Sequence, residues 1–412
     1  MSKARVAIIG AGISGLSTGH FLKNRYDVTL YEKESVPGGL IRCDNTRGLF
    51  HLCGGHVFNS KRQDVLDWFW SHFDRDKEFV KAERNSVVFL NDQQHIPYPI
   101  ENHMYLADEE TQRRFINDMI SISKEEDYQP QNFEDFLRHR FGETLYQLYF
   151  NPYNKKVWRR PLNTVPLSWL EGKLPMPTVE EMIFNNMNHV EEKQFVHSTF
   201  WYAKQQGSQF IASRLAEGLH IKFCKNIDLI RYNSEQWEVE GEEYDKLVFC
   251  GNIKDMVRII SGVDMEFFSK DVEKLEFHGT TSVFCEIDHN PYSWIYMPSS
   301  AHESHRIICT GNFSPNNNPG NTMTGTIEFT DELNKEEIED NLKRIPLHPK
   351  YIKHQFNPYT YPIQDKNTKQ LISQIKSYLK PYHFYFTGRF ADWEYYNMDV
   401  AIGAAMDLCK TI

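Results

Sequence analysis

The chain lacks any apolar run near the ~20 residues that a membrane-spanning helix needs, so no span is expected. It also lacks a block of Lys and Arg. With 46 basic against 56 acidic residues the formal net charge is −10, so binding to a nucleic-acid backbone is not expected. No Cys-x-x-Cys occurs, and the seven cysteines, at 43, 53, 224, 250, 285, 309 and 409, are scattered. That spacing disfavours structural zinc and a dithiol redox centre and reads as reduced thiols. No apolar leader with a small-residue cleavage site follows Met1, which makes the cytoplasm the expected location. Repeats and low-complexity segments are missing too. What is plentiful is aromatic area: 28 Phe, 21 Tyr and 8 Trp make up 14% of the chain, which suits planar ligands and packed cores alike. A length of 412 residues predicts two to three domains and a core that needs no disulfide.

The chain opens as a βαβ unit: Arg5–Ile9 as a short apolar strand, Gly15–Lys23 as a helix, and Asp27–Glu32 as a second strand. From about Leu106 to Asn188 the pattern is helical, with Phe115, Met119 and Ile122 on one face of Glu109–Lys124, and Asn132–Trp158 continuing in the same manner. Short strands follow at His220–Cys224, Trp237–Val239, Lys246–Cys250, Thr281–Ile287, Trp294–Met297, Arg306–Thr310 and Gly325–Phe329, separated by turn-rich stretches such as Ser314–Asn321. The end returns to strand (His383–Thr387), turn (Gly388-Arg389) and helix (Met398–Lys410). An opening βαβ and a closing strand–helix around unlike material predict one nucleotide-binding domain interrupted by insertions.

Gly10-Ala11-Gly12-Ile13-Ser14-Gly15 follows a strand and opens a helix, the context in which a G-x-G-x-x-G run binds a dinucleotide. Gly10 makes the tight turn, Gly12 admits a pyrophosphate, Gly15 lets helix and strand pack closely, and the helix N-terminus faces the phosphates. Glu32, about 20 residues on at the end of the second strand, is placed to accept bonds from an adenosine ribose. Pro37-Gly38-Gly39 follows within a few residues; it reads either as an ordinary turn or as a second close backbone approach to the cofactor. Cys53-Gly54-Gly55-His56-Val57-Phe58 sets two permissive residues before a histidine, which can hold a ring donor against something flat or be structural. Arg306 is the best single candidate for a diphosphate clamp, because a guanidinium fork binds phosphate in bidentate fashion.

Pro37-Gly38-Gly39 after Glu32 resembles the extended FAD motif of amine-oxidase-like flavoproteins, and Gly55-His56-Val57 resembles the histidine loop beside the flavin in UDP-galactopyranose mutases of the eukaryotic type. The likeness extends along most of the chain. Ile96-Pro97-Tyr98-Pro99-Ile100-Glu101-Asn102 is similar to that family's Pro-Tyr-Pro-Phe-Gln-Asn segment. Phe150-Asn151-Pro152-Tyr153-Asn154-x-Lys156-Val157-Trp158 resembles its Pro-Tyr-Asn-x-Lys-Val-Trp signature. Arg306 with Asn312-Phe313-Ser314-Pro315 resembles its Arg before Asn-Tyr-Ser-Pro, and Gly388-Arg389-Phe390 with Trp393, Tyr395 and Asn397-Met398-Asp399 resembles its C-terminal flavin-binding run.

The resemblance implies an α/β fold: a Rossmann-like FAD-binding domain (1–75 with 207–256 and 380–412), a helical substrate domain with a mobile loop (106–206), and an antiparallel β-sheet domain (76–105 with 257–379). It implies a flavin-dependent isomerase acting on a nucleotide sugar for cell-surface polysaccharide synthesis, with reduced FAD N5 attacking the anomeric carbon and the ring reclosing on another hydroxyl. An electron donor, NAD(P)H or a reductase, would reduce the flavin, and a homo-oligomer is compatible with it. The cofactor would be held by Gly10, Gly12, Ile13, Ser14, Gly15, Glu32, Lys33, Gly38, Gly39, Leu40, Gly55, His56, Val57, Gly388, Arg389, Asn397, Met398 and Asp399. Arg389 would sit over the flavin. Substrate would meet Glu101, Asn102, Tyr153, Trp158, Trp201, Arg306, Tyr395 and Tyr396. His56, Arg306 and Tyr395 would be the catalytic set, although Trp158, Tyr153, Tyr395 and Tyr396 also read as packing residues.

Three departures bear on the reaction. Where the family has Thr-Phe-Arg-Phe on its mobile loop, this chain has Thr199-Phe200-Trp201-Tyr202, so one diphosphate contact is lost or comes from Arg159 or Arg160. The family's uracil-reading Gln is Glu101; a carboxylate only accepts hydrogen bonds, which makes a GDP-sugar chemically conceivable. Ser-Pro-Tyr is Ser314-Pro315-Asn316. The segment Asn185–Gln206 is the expected lid. The rival expectation on the same fold is an amine-oxidase-like FAD oxidoreductase acting on a sugar or glycan precursor.

Overall fold

Alternation along the first strand sets up the central layer. In Arg5–Ile9, Val6 and Ile8 point to one apolar cluster, and Ala7 and Ile9 to another. A strand buried on both faces belongs inside a parallel sheet, and that is where the computed structural model places it, describing residues 3–91, 94–125, 128–167, 177–190 and 199–412. Five parallel strands run in the order Phe384–Phe386, Lys246–Phe249, Arg5–Ile9, Asp27–Tyr31 and His220–Lys222. On the Val6/Ile8 face, Leu16 of the Ile13–Leu22 helix packs with Met398 and Ile402 of the Met398–Cys409 helix. The other face is covered by a four-stranded sheet from Ile230 to Ser261, whose buried Trp237 meets Phe384. The first and last segments of the chain thus build one layer, as their shared α/β pattern predicted.

A seven-stranded sheet forms the second layer, in the order Lys350–Ile363, Glu276–Glu286, Thr324–Thr330, Arg306–Ile308, Trp294–Tyr296, Ser86–Phe89 and His95–Pro97. It is not purely antiparallel: Trp294–Tyr296 runs parallel to Ser86–Phe89. The 14-residue Lys350–Ile363 strand and the Thr368–Leu379 helix were not anticipated. The strand lies at the sheet edge, where Pro358 and Pro362 are tolerated and the apolar alternation is blurred.

The helical segment begins at Glu109–Ile122, capped by the Asp108 carboxylate accepting from Thr111 N. The expected continuous Asn132–Trp158 helix is broken. Phe133–Leu145 kinks at Gly142 (φ 81°), where the Asp118 carboxylate accepts from Thr144 N. A single π-helical turn, Tyr146–Phe150, then leads into Asn151–Trp158. Of the expected lid, residues 191–198 lie outside the described residues. Thr199–Ala203 is a strand paired antiparallel with Phe79–Glu83, not a loop. Among the described residues no helix is long and apolar enough to cross a membrane, and no group of metal-ligating side chains forms a metal site. All seven cysteines are free.

Candidate active site

The glycine loop at the end of the first strand has no room for side chains. Gly10 has φ 102°. A Cβ on Gly15 would lie 1.9 Å from the Gly10 carbonyl oxygen, so only glycine fits. Gly38 N donates to Ala11 O at 2.9 Å, and a Cβ on Gly39 would come within 3.3 Å of Gly12 Cα, so Pro37-Gly38-Gly39 closes over the first loop. The Ile13–Leu22 helix, with Gly12 at its N-cap, and the Met398–Cys409 helix, with Asn397 at its N-cap, both lack a side-chain cap. Their first-turn amides are therefore available to a ligand, and first-turn donors favour anions. Gly388 (φ 128°) abuts Ser14: a Cβ there would be 3.2 Å from Ser14 Oγ. Gly10, Gly12, Ile13, Ser14, Gly15, Gly38, Gly39, Leu40, Gly388, Asn397, Met398 and Asp399 thus come from distant segments to one cradle. Glu32 is buried and already accepts from Ala11 N at 2.7 Å and Glu34 N at 3.0 Å. It holds the loop itself, and only its remaining lone pairs can serve a ribose. Lys33 is exposed.

The second glycine pair has an equally local reason. Gly54 has φ 68°, and a Cβ on Gly55 would collide with Ile308 Cγ2 at 2.6 Å. The pair brings His56 against the second sheet: a Cβ on Gly54 would lie 3.8 Å from His56 Nε2 and 3.7 Å from Glu328 Oε1. His56 Nε2 is buried and has no hydrogen-bond partner. Burial, then the positive charge of Arg389, lowers the ring to about 4, so it is neutral at physiological pH. Val57 packs with Phe200 and Phe313.

Arg306 faces Glu328 directly across the antiparallel pair. Its Nε donates to Glu328 Oε2, and Nη2 donates to Tyr361 Oη at 3.0 Å. Glu328 is 1% exposed. Burial alone would raise this carboxyl, but Arg306, joined by His305 at 3.5 Å, holds it at about 2. Arg306 in turn, against the pull of burial, is raised well above its ordinary value by Glu328 and Tyr361. Tyr361 stacks on Tyr395 with ring centroids 5.4 Å apart, and the Arg389 guanidinium lies 4.6 Å over the Tyr395 ring. Arg389 donates to Thr360 O at 3.2 Å and through Nε to Tyr396 O at 3.0 Å. Its donors therefore fix the C-terminal loop to the second sheet.

A cluster of tyrosines continues the wall. Tyr153 stacks on Tyr149 at 5.2 Å and meets Tyr296 edge-on at 5.7 Å, and Tyr98 contacts Tyr296 at 4.9 Å. Behind it sit Glu101, 2% exposed, and Asn102, 3% exposed. Asn102 Oδ1 accepts from Asn185 and Glu101 O accepts from Asn186, both on the Val179–Asn188 helix. Burial raises the Glu101 carboxyl to about 7.

Trp158 is buried near Phe133 and His278 and lines a small cavity with His305 and Tyr361. Other expected residues do not join this wall. Trp201 lies on the Phe79–Glu83 ribbon, 5.3 Å from the Trp70 ring and beneath Arg75. Arg159 and Arg160 pair with Glu303 and Glu276. Conversely, Glu328, Tyr361 and His305 belong to the site and were not singled out. Glu328 left one trace in the sequence, as an acid inside the otherwise uncharged Thr324–Thr330 strand.

Comparison with known proteins places the fold. Residues 8–73 match the NAD(P)-binding Rossmann-like domain family. The chain is 22% identical to the UDP-galactopyranose mutase of Mycoplasma pneumoniae, with 97% of this chain and 94% of that protein covered. It is 22% identical to the dTDP-fucopyranose mutase of Escherichia coli, with 98% and 97% covered. A crystal structure of reduced UDP-galactopyranose mutase superposes with a TM-score of 0.87 at 21% identity, over 100% of this chain and 94% of that one. The chain is thus similar over its whole length to UDP-galactopyranose and dTDP-fucopyranose mutases, and its fold is that of UDP-galactopyranose mutase.

Proposed function

We propose that the protein is a flavin-dependent nucleotide-sugar mutase, an isomerase that interconverts the pyranose and furanose rings of a hexose linked to a nucleoside diphosphate. One observation carries this reading. A dinucleotide cradle with two uncapped helix N-termini is joined, through Arg389 over Tyr395 and Tyr395 stacked on Tyr361, to a paired arginine, Arg306. The residues fit FAD: the glycine contacts leave backbone alone beside a pyrophosphate, and the orphaned, neutral His56 Nε2 suits one hydrogen bond to an uncharged ring. Bound and reduced, FAD would supply a nucleophilic ring nitrogen, N5, to the anomeric carbon; NAD(P)H or a reductase would provide the electrons.

The chain's own residues bind, orient and screen. Arg306 keeps its charge because Glu328 holds it in place, and the bonds to Glu328 and Tyr361 use Nε and Nη2. The guanidinium can thus donate to a phosphate oxygen both before and after the sugar leaves the diphosphate. Tyr395, stacked on Tyr361, frames the same end, while the Tyr396 hydroxyl turns to Asp392. The apolar faces of Tyr153, Tyr149 and Tyr296 exclude water from the sugar and base. The test is anaerobic incubation with UDP-galactose and other nucleotide sugars, using oxidised and dithionite-reduced protein, with products separated by chromatography. An isomer of unchanged mass formed only by reduced protein supports the reading. Loss of two hydrogens from a substrate refutes it.

A further inference from the structure

A cavity of about 20 Å³ adjoins the Arg306–Glu328 pair, because two of its lining residues, His305 and Tyr361, bond to that pair. His278 enters the lining from the Glu276–Glu286 strand and Trp158 from the end of the Asn151–Trp158 helix. The volume suits a single water molecule, which needs roughly 10–15 Å³ and two to four polar partners. Two ring nitrogens on these residues, Nδ1 of His305 and Nε2 of His278, are buried and have no hydrogen-bond partner among the described residues. His305 is 4% exposed.

The other nitrogen of each ring fixes where its proton sits. His305 Nε2 lies 3.5 Å from Glu328 Oε2, a carboxylate that only accepts, so the proton is on Nε2 and Nδ1 keeps a lone pair. His278 Nδ1 lies 3.9 Å from Asp331 Oδ1, and the ring donates to Trp158 O; with Nε2 unpartnered, that bond also uses Nδ1. Its Nε2 therefore keeps a lone pair too. Burial lowers both rings below the ordinary imidazole value, so neither takes a second proton at neutral pH. Two acceptors on one water-sized cavity cannot satisfy each other. A water molecule brings two O–H donors, one for each. Its oxygen can accept from Tyr361, whose own hydroxyl oxygen accepts from Arg306 Nη2 at 3.0 Å. The Thr330 hydroxyl, also on the lining, donates to Val157 O at 3.3 Å instead.

We propose that His278 and His305 hold one internal water in this cavity, and that this water fixes His305 as the Nε2–H tautomer that orients Glu328 and, through it, Arg306. The water closes a ring of hydrogen bonds. Arg306 Nη2 donates to Tyr361, Tyr361 to the water, the water to His305 Nδ1 and His305 Nε2 to Glu328, which accepts again from Arg306 Nε. His278 stands outside the ring and takes the second proton of the water. Both histidines are then positioning residues that act on a ligand only through Arg306. Their consequence for diphosphate binding rests on the nucleotide-sugar reading above; the water site does not.

The experiment uses the oxidised holoprotein. A crystal structure should show one water within hydrogen-bond distance of both His305 Nδ1 and His278 Nε2. Long-range proton–nitrogen correlation spectra of the 15N-histidine-labelled protein at neutral pH should show both rings neutral, His305 protonated on Nε2 and His278 on Nδ1. H278F puts a ring without an acceptor into the cavity. It should exclude the water, leave His305 a mixture of tautomers, and weaken UDP binding about fivefold, the worth of roughly one hydrogen bond. H278Q, whose amide oxygen can accept from the same water, should restore the His305 tautomer and most of the affinity. Unchanged visible flavin absorbance shows that both variants are folded. A dry cavity, a proton on His305 Nδ1, or a second proton on either ring in the wild type overturns the proposal, whatever the variants do. So does H278F with the His305 spectrum and UDP affinity of the wild type. If UDP binds to none of the three proteins while the water and the tautomers are as stated, the nucleotide-sugar reading falls and the water site stands.

Discussion

Replacing Glu328 by Gln removes the charge that holds Arg306. The magnitude follows from the carboxyl itself, held at about 2 against an ordinary 4.5. That gap, at 1.36 kcal/mol per pH unit, corresponds to about 3 kcal/mol of favourable interaction at neutral pH. Breaking a buried pair by deleting one partner costs a similar amount, about 3–5 kcal/mol, because the remaining charge is stranded. Because the folded carboxyl is depressed, its contribution is fully present above 4.5 and is lost as pH falls toward 2. Urea unfolding of the holoenzyme, followed by tryptophan fluorescence, should show E328Q less stable by about 3 kcal/mol at pH 7, with the gap narrowing by about 1 kcal/mol at pH 4. UDP should stabilise E328Q more than the wild type, since its diphosphate restores a negative partner to Arg306. A loss under about 1 kcal/mol at pH 7, or a gap that widens in acid, would refute the reasoning.

Three further outcomes are expected. G15A places a Cβ 1.9 Å from the Gly10 carbonyl oxygen, so the purified variant should lack the visible flavin absorbance of the wild type. Asp392 Oδ2 accepts from Gly388 N and Thr387 Oγ1, each at 3.0 Å, and Oδ1 meets Lys376 Nζ at 2.5 Å. D392N should therefore loosen the Gly388-Arg389 turn, at a cost of about 1–3 kcal/mol, read as a lower melting temperature and weaker flavin retention. Glu101 has its folded value raised from 4.5 to about 7, so it opposes folding increasingly between those values. E101Q should then be more stable than the wild type by about 3 kcal/mol at pH 8 and nearly equal at pH 4, as denaturant titrations at the two pH values will show.

What could be read from the sequence was what local physics encodes. The glycine loop, Glu32 and the segment from Gly388 to Asp399 carry their geometry in adjacent residues, because turns and helix starts are short-range. The Arg306–Glu328 pair could not be read that way. The two residues are 22 positions apart, and only the strand register makes them face each other. Tyr361 was hidden for another reason: it lies on an edge strand whose prolines and polar residues blur the alternation. Trp201 was misplaced although Thr199-Phe200-Trp201-Tyr202 alternates: Phe200 and Tyr202 are buried, while Thr199 and Trp201 are only partly so. That period marks a strand more than a loop. Arg389 lies over the Tyr395 ring, and its donors are engaged by backbone carbonyls, a pairing that no local pattern announces.

The central claim is that the flavin acts without net electron transfer to or from the sugar. The most direct measurement reduces the holoenzyme once with dithionite under strict anaerobiosis, adds excess UDP-galactose, and follows the flavin spectrum and the product together. The account predicts many equivalents of isomer per flavin while the spectrum stays that of the reduced form. It is contradicted if product stops at one equivalent as the flavin reoxidises, or if oxidised protein is bleached by the sugar itself.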